Sequence, residues 1–215
     1  MIILDLETSG LHCGKCGIWQ IGALEFENPE NYFLQEGRID EKDEVTQEAL
    51  ELTEKTEQEL RSPSKQTQKQ LILNFLDWAK TCNERIPAGQ NIGWDVSFIM
   101  NKCIDYEIRD KFRESIGQRT IDLHTVAQER YYVINKSYLL ENNKSKMNLY
   151  SVLQFCGLPD ERKQVLDGGK IGKEGKAHNA LEDIKLEAEC FSRLLHGKNL
   201  IKEFENFPIP EYLRK

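Results

Sequence analysis

The sequence predicts an α/β fold, a mixed central β-sheet flanked by α-helices. Three observations predict it. Three apolar or alternating segments follow one another near the N-terminus, joined by short turns, as in an antiparallel meander. Beyond residue 68, helical and short strand patterns alternate. The chain then runs into a long amphipathic helix at 179–197.

The elements follow in order. "IIL" before Asp5 reads as a short buried strand, 18–27 as a second and 31–39 as a third, with Asn28-Pro29 as a turn signal. Residues 40–70 are polar and helical in composition, broken at Pro63. Over 69–82, Leu71, Phe75, Trp78 and Ala79 share one helical face. Residues 85–91 read as a short strand with a polar end, and 94–104 as a helix that is apolar at Val96, Ile99, Met100 and Cys103. Residues 119–131 look like a strand end feeding a helix, and 132–147 like a polar, irregular insertion. A helix over 148–158 is stopped by Gly157 and Pro159. A loop rich in glycine and lysine (167–176) leads to the final helix, which Gly197 ends. There are no internal repeats.

The length of 215 residues suits one large domain, or one domain at 1–197 with a tail at 198–215. No apolar run approaches the roughly 20 residues of a membrane span, so no membrane partner is expected. Met1 leads straight into the first strand with no basic n-region or cleavage site, so no signal peptide and a cytoplasmic location are expected. Six cysteines then stay thiols. The formal net charge of −7 argues against nucleic-acid binding through a bulk positive field, but not against a local grip on a few phosphates.

Asp5 and Glu7 sit two residues apart on a strand, on one face and about 6.5–7 Å apart. Two bare carboxylates there repel, so one takes a proton or a cation sits between them. Mg²⁺ and Mn²⁺ suit carboxylate oxygen. On the strand alone, a pair of water-facing acids stands beside that reading, although it does not explain why "IIL" is apolar on both faces. Asp95 opens an apolar helix after a strand ending in Asn91, and alone it reads as a first-turn acid favoured by the dipole. Asn179 suits an N-cap with Glu182 three residues on, which puts Asp183 in the first turn and His178 just before the helix. Each of these, singly, has a structural explanation.

Together, "DLETSG" (5–10), "NIGWD" (91–95) and "HNALED" (178–183) resemble, in type, spacing and order, the three motifs of the DEDDh branch of the DnaQ-like 3'→5' exonucleases. This family includes the proofreading exonuclease of bacterial DNA polymerase III. The flanking "IWQIGALEF", "GQN" and "RTIDLHTVA" are also similar, and the resemblance spans nearly the whole chain up to about residue 196. It implies an RNase H-like fold and two divalent ions, Mg²⁺ or Mn²⁺, held by Asp5, Glu7, Asp95 and Asp183. By the same resemblance Asp5 bridges both ions, Glu7 and Asp183 hold the ion that activates water, and Asp95 supports the other. His178 is the general base, as suits a side chain that titrates near neutrality. Two ions clamp the attacking and leaving oxygens of an in-line displacement. Thr8 beside the terminal sugar, Leu11 against the terminal base, and Asn91 are the implied substrate contacts. The implied partner is a nucleic-acid 3' end, DNA before RNA, with a DNA polymerase as a further partner. A catalytically inactive, nucleic-acid-binding adaptor of the same fold is the competing class.

Cys13-x-x-Cys16 lacks the further ligands that a zinc site needs. The glycine- and lysine-rich loop fits no Walker A register, and its lysines suit either a substrate contact or a solvated loop. Gln20 stands where many relatives carry Glu and is given no catalytic role. His124 reads as a helix-start residue.

Overall fold

The computed structural model describes residues 1–164 and 170–214. A five-stranded mixed sheet is built from β1 (Ile2–Thr8), β2 (Ile18–Glu25), β3 (Asn28–Glu36), β4 (Pro87–Gly89) and β5 (Ile121–Asp122), in the order β3-β2-β1-β4-β5. β1, β2 and β3 pair antiparallel, while β4 and β5 run parallel to β1. The helices are α1 (Gln47–Thr53), α2 (Glu57–Leu60), α3 (Gln68–Ala79), α4 (Gly93–Asp105), α5 (Arg109–Ser115), α6 (Leu123–Asn135), α7 (Leu149–Cys156) and α8 (Ala180–His196). A small hairpin, β6 (Leu140–Glu141) and β7 (Lys144–Ser145), follows α6.

The central position of β1 explains its composition. Ile2, Leu4 and Leu6 enter a core shared with α3, α4 and α5, including Phe75, Phe98 and Phe112. Ile3 points the other way, into a core with α6, α7 and α8 that includes Leu123, Leu153 and Phe191. Period-two alternation puts Asp5 and Glu7 on that second face, under α8. Gly22 of β2 lies opposite Asp5, where an added Cβ would stand 2.7–2.8 Å from the Cβ, C and O atoms of Ala180. The missing side chain lets the start of α8 rest on the sheet beside Asp5.

Several elements differ from the sequence expectation. The hairpin turn is at Phe26-Glu27, and Asn28-Pro29 already begins β3. Proline is tolerated there because β3 is an edge strand. Residues 132–147 are not irregular: α6 continues to Asn135, and the hairpin is pinned by Gln128, whose Nε2 donates to Leu139 O at 3.0 Å while its Oε1 accepts from Leu139 N at 3.1 Å. α5 was not expected at all. Residues 198–214 pack back on α7 and α8. The Arg193 guanidinium, fully buried, donates to the carbonyls of Cys156, Phe204 and Phe207 and pairs with Glu189, whose other oxygen accepts from Leu200 N and Ile201 N. No helix among the described residues is long and apolar enough to cross a membrane.

Candidate active site

All five residues singled out for chemistry lie around the C-terminal end of β1. Asp5 and Glu7 come from the strand, Asp95 from the first turn of α4, Asp183 from the first turn of α8, and His178 from the segment just before it. Glu7, Asp95 and Asp183 are buried, and Asp5 and His178 are intermediate. The first turn of α8 is set by Asn179, whose Oδ1 accepts from Leu181 N at 3.0 Å. Glu182 makes no return bond to complete a capping box. Gln20 adds a second hold, since its buried Oε1 accepts from Ala180 N at 3.1 Å. It therefore positions α8 rather than touching the reacting centre.

The electrostatics follow from burial and mutual repulsion. Burial pushes the Asp5 carboxyl well above the ordinary range, and the charges of Asp183, Glu7, Asp95 and Glu187 push it further. Glu7 is raised by burial, then by Asp183 and Asp95, with Arg162 opposing. Asp95 is raised by burial, against backbone hydrogen bonds at Asp95 and Leu6. Such a cluster demands protons or cations. Glu7 Oε1 is buried with no hydrogen-bond partner. Glu7, His178 and Asp183 each offer a ligand atom within 4.8 Å of the others, the one such group among the described residues. The carboxylate oxygens of Glu7 and Asp183 at that spacing fit a divalent ion, with the His178 imidazole beside them.

His178 is fixed from two sides. Its backbone N–H donates to Leu52 O at 3.2 Å, and Nε2 lies 3.0 Å from Lys163 O. A carbonyl only accepts, so Nε2 carries the proton in that bond. Nδ1 then faces Asp183 Oδ2 at 3.6 Å. The expected substrate contacts line the same end of β1. Buried Thr8 donates to Gly10 O at 2.8 Å. Leu11 is 83% exposed beside Trp94, whose indole donates to its carbonyl at 3.2 Å. Asn91 is exposed, with a left-handed φ of 54°.

Two site residues escaped the sequence reading. Glu187 lies one helical turn after Asp183, is 1% exposed, and has an unpartnered Oε2; burial, then Asp95 and Asp183, raise its carboxyl. The i,i+4 spacing from Asp183 was the available signal. Arg162 reaches the cluster from the loop after α7, with Nη1 2.9 Å from Asp183 Oδ1. Nothing in the sequence around it announces that approach. Cys16 is packed in the core and Cys13 partly buried, and neither joins a metal-ligating group among the described residues. Of the glycine- and lysine-rich loop, 167–169 lie outside the described residues. His124, on the first turn of α6, bonds Ser145 of the hairpin through Nε2 at 2.8 Å.

No family model and no curated relative matches the sequence at a significant level. Similarity to solved structures is clear. One is E. coli exonuclease I in complex with a dT13 oligonucleotide, with a TM-score of 0.64 and 16% identity over 95% of this chain and 42% of that one. A second is the zinc-bound exonuclease I–ssDNA complex, with a TM-score of 0.63 and 17% identity over 95% and 40%. A third is cell-death related nuclease 4 (CRN-4), with a TM-score of 0.58 and 16% identity over 92% of this chain and 64% of that one. The chain thus spans less than half of exonuclease I. At these identities the likeness shows the fold, which is the mixed RNase H-like sheet of these nucleases.

Proposed function

We propose that the chain is a metal-dependent 3'→5' exonuclease that removes 5'-mononucleotides from nucleic-acid ends, single-stranded or frayed DNA before RNA. The observation that carries this reading is the convergence of Asp5, Glu7, Asp95 and Asp183 on one cluster, in which burial first and neighbouring charge second raise the carboxyls of Asp5 and Glu7 and burial raises that of Asp95, with His178 at its edge. The motif resemblance supplies the polarity. The oligonucleotides in the exonuclease I structures support a strand of nucleic acid as substrate.

Asp5, Glu7 and Asp183 would hold divalent metal, with Asp95 completing the charge. Bound Mg²⁺ or Mn²⁺ supplies Lewis acidity toward the phosphodiester and a lowered pKa for water. His178, held by Lys163 O through Nε2, presents Nδ1 to the carboxylates and takes the proton of the attacking water there. Thr8 and Asn91 contact the terminal nucleotide, and exposed Leu11 packs on its base. The acids that gather metal also repel a polyanion, so binding of the strand depends on divalent ions.

The test uses matched 3'- and 5'-labelled DNA and RNA strands with Mg²⁺, Mn²⁺ or EDTA, beside Asp5→Ala and His178→Ala. Stepwise loss from the 3' end, abolished by EDTA and Asp5→Ala, is expected. His178→Ala lowers turnover far more than strand binding. Failure to shorten either polymer under any metal refutes the reading and favours the adaptor class.

A further inference from the structure

Among the site carboxylates, Asp183 carries a guanidinium on it. Arg162 Nη1 lies 2.9 Å from Asp183 Oδ1. The rest of the guanidinium is held elsewhere: Nε donates to Asp160 Oδ1 and Nη2 to Asp160 Oδ2, both at 2.9 Å, a bidentate fork. The Arg162 backbone N–H also donates to Asp160 Oδ1, at 3.1 Å, and Gln164 Nε2 braces Asp160 Oδ2 at the same distance. Arg162 is 9% exposed. Burial works against its charge, but the pairing with Asp160 and Asp183 outweighs it and keeps the group firmly cationic. One fork is therefore an anchor, and the remaining nitrogen is aimed into the acid cluster. The segment is tied to the general base as well. Lys163 O meets His178 Nε2, Lys163 N donates to Lys176 O, and Lys163 Nζ pairs with Glu54 beside α1.

A guanidinium and a divalent ion on one carboxylate compete. The anchor on Asp160 keeps Nη1 in the cluster when Asp183 turns to an ion. The group left there is planar, permanently charged and matched to phosphate oxygen. We propose that Arg162 shares Asp183 with the divalent ion and serves as a phosphate ligand of the site, taking a non-bridging oxygen of the phosphodiester once the ion holds that carboxylate. This rests on the exonuclease reading, and it assigns to the reaction a substrate-binding residue that no motif marks.

Arg162→Met, Arg162→Lys and Asp160→Asn test it by calorimetry, first with Mn²⁺ alone and then with 5'-dTMP on Mn²⁺-saturated protein. Arg162→Met is expected to bind Mn²⁺ about tenfold more tightly and 5'-dTMP roughly tenfold or more weakly, the scale of one charge-assisted hydrogen bond. Arg162→Lys keeps the charge and loses only part of the nucleotide affinity. Asp160→Asn leaves the competing charge but loosens its aim, so nucleotide binding weakens without a gain for Mn²⁺. A residue that merely braced the loop would weaken both ligands together in Arg162→Met. That result, or unchanged affinities, overturns the proposal. Wild-type protein that binds neither 5'-dTMP nor shortens a strand overturns the exonuclease reading and this inference with it. Wild-type protein that shortens strands while Arg162→Met retains both affinities overturns this inference alone.

Discussion

Gly22→Ala probes how the sheet positions the site. The added Cβ would stand 2.7 Å from Ala180 Cβ and 2.8 Å from Ala180 C and O. Ordinary carbon contacts lie at about 3.5–4.0 Å, so the start of α8 must withdraw by roughly 1 Å. Two of the three atoms are backbone, and no rotamer change relieves them. Ala180 stands between His178 and Asp183 in sequence, so both move with it. Misplacement of about 1 Å lowers turnover on the order of 100-fold. Overpacking itself costs about 1–3 kcal/mol, which lowers the Tm of a chain this size by roughly 2–12 °C. The assay is strand shortening beside thermal unfolding with and without Mn²⁺. Ala180→Gly added to Gly22→Ala removes one of the three contacts and restores only part of the loss. A folded Gly22→Ala protein with turnover within about twofold of wild type would refute the reasoning.

Three further outcomes are expected. Asp5 has a raised carboxyl in the fold, chiefly through burial. The folded chain therefore holds its proton longer, and without metal wild type loses stability as pH rises from the unfolded value through the folded one, by up to about 1.4 kcal/mol per pH unit. Asp5→Asn escapes that loss. In EDTA it matches wild type near pH 4 and exceeds it increasingly toward neutrality, whereas Mn²⁺ raises the Tm of wild type more than that of the variant. Lys102→Met breaks a pair 2.5 Å long whose side chains are only 2% and 1% exposed, leaving Asp43 with Gln68 Nε2 and Asp40 N. A stranded buried charge costs about 3–5 kcal/mol, measurable by denaturant unfolding and partly recovered by adding Asp43→Asn. Arg193→Met strands Glu189 and three carbonyls, so hydrogen exchange over 198–214 accelerates and Tm falls by roughly 6–20 °C.

What was legible in the sequence has a physical reason. Asp5 and Glu7 could be paired because a strand alternates with period two, and their partners stood at helix starts, where Asn179 caps and dipoles leave a signature. The middle of the fold was harder. In α5, "RDKFRES" buries one large apolar side chain, Phe112, which is too little for a helical pattern. The β6–β7 hairpin has two-residue strands exposed on every face, so no alternation marks it. The docking of 198–214 turns on Arg193, a charge that pattern reading assigns to water and the fold buries completely. Glu187 was hidden for the same reason, as one of several acids on a helix whose charged residues look solvated. Arg162 lies in a loop without periodicity, and only the folded position of Asp183 gives it a partner.

The measurement that bears most directly on the account is anomalous scattering from crystals grown with Mn²⁺. Manganese is expected against Asp5, Glu7 and Asp183, with Arg162 Nη1 drawn off Asp183 Oδ1. Manganese absent from this cluster at millimolar concentration, or held at Cys13 and Cys16 instead, would contradict it.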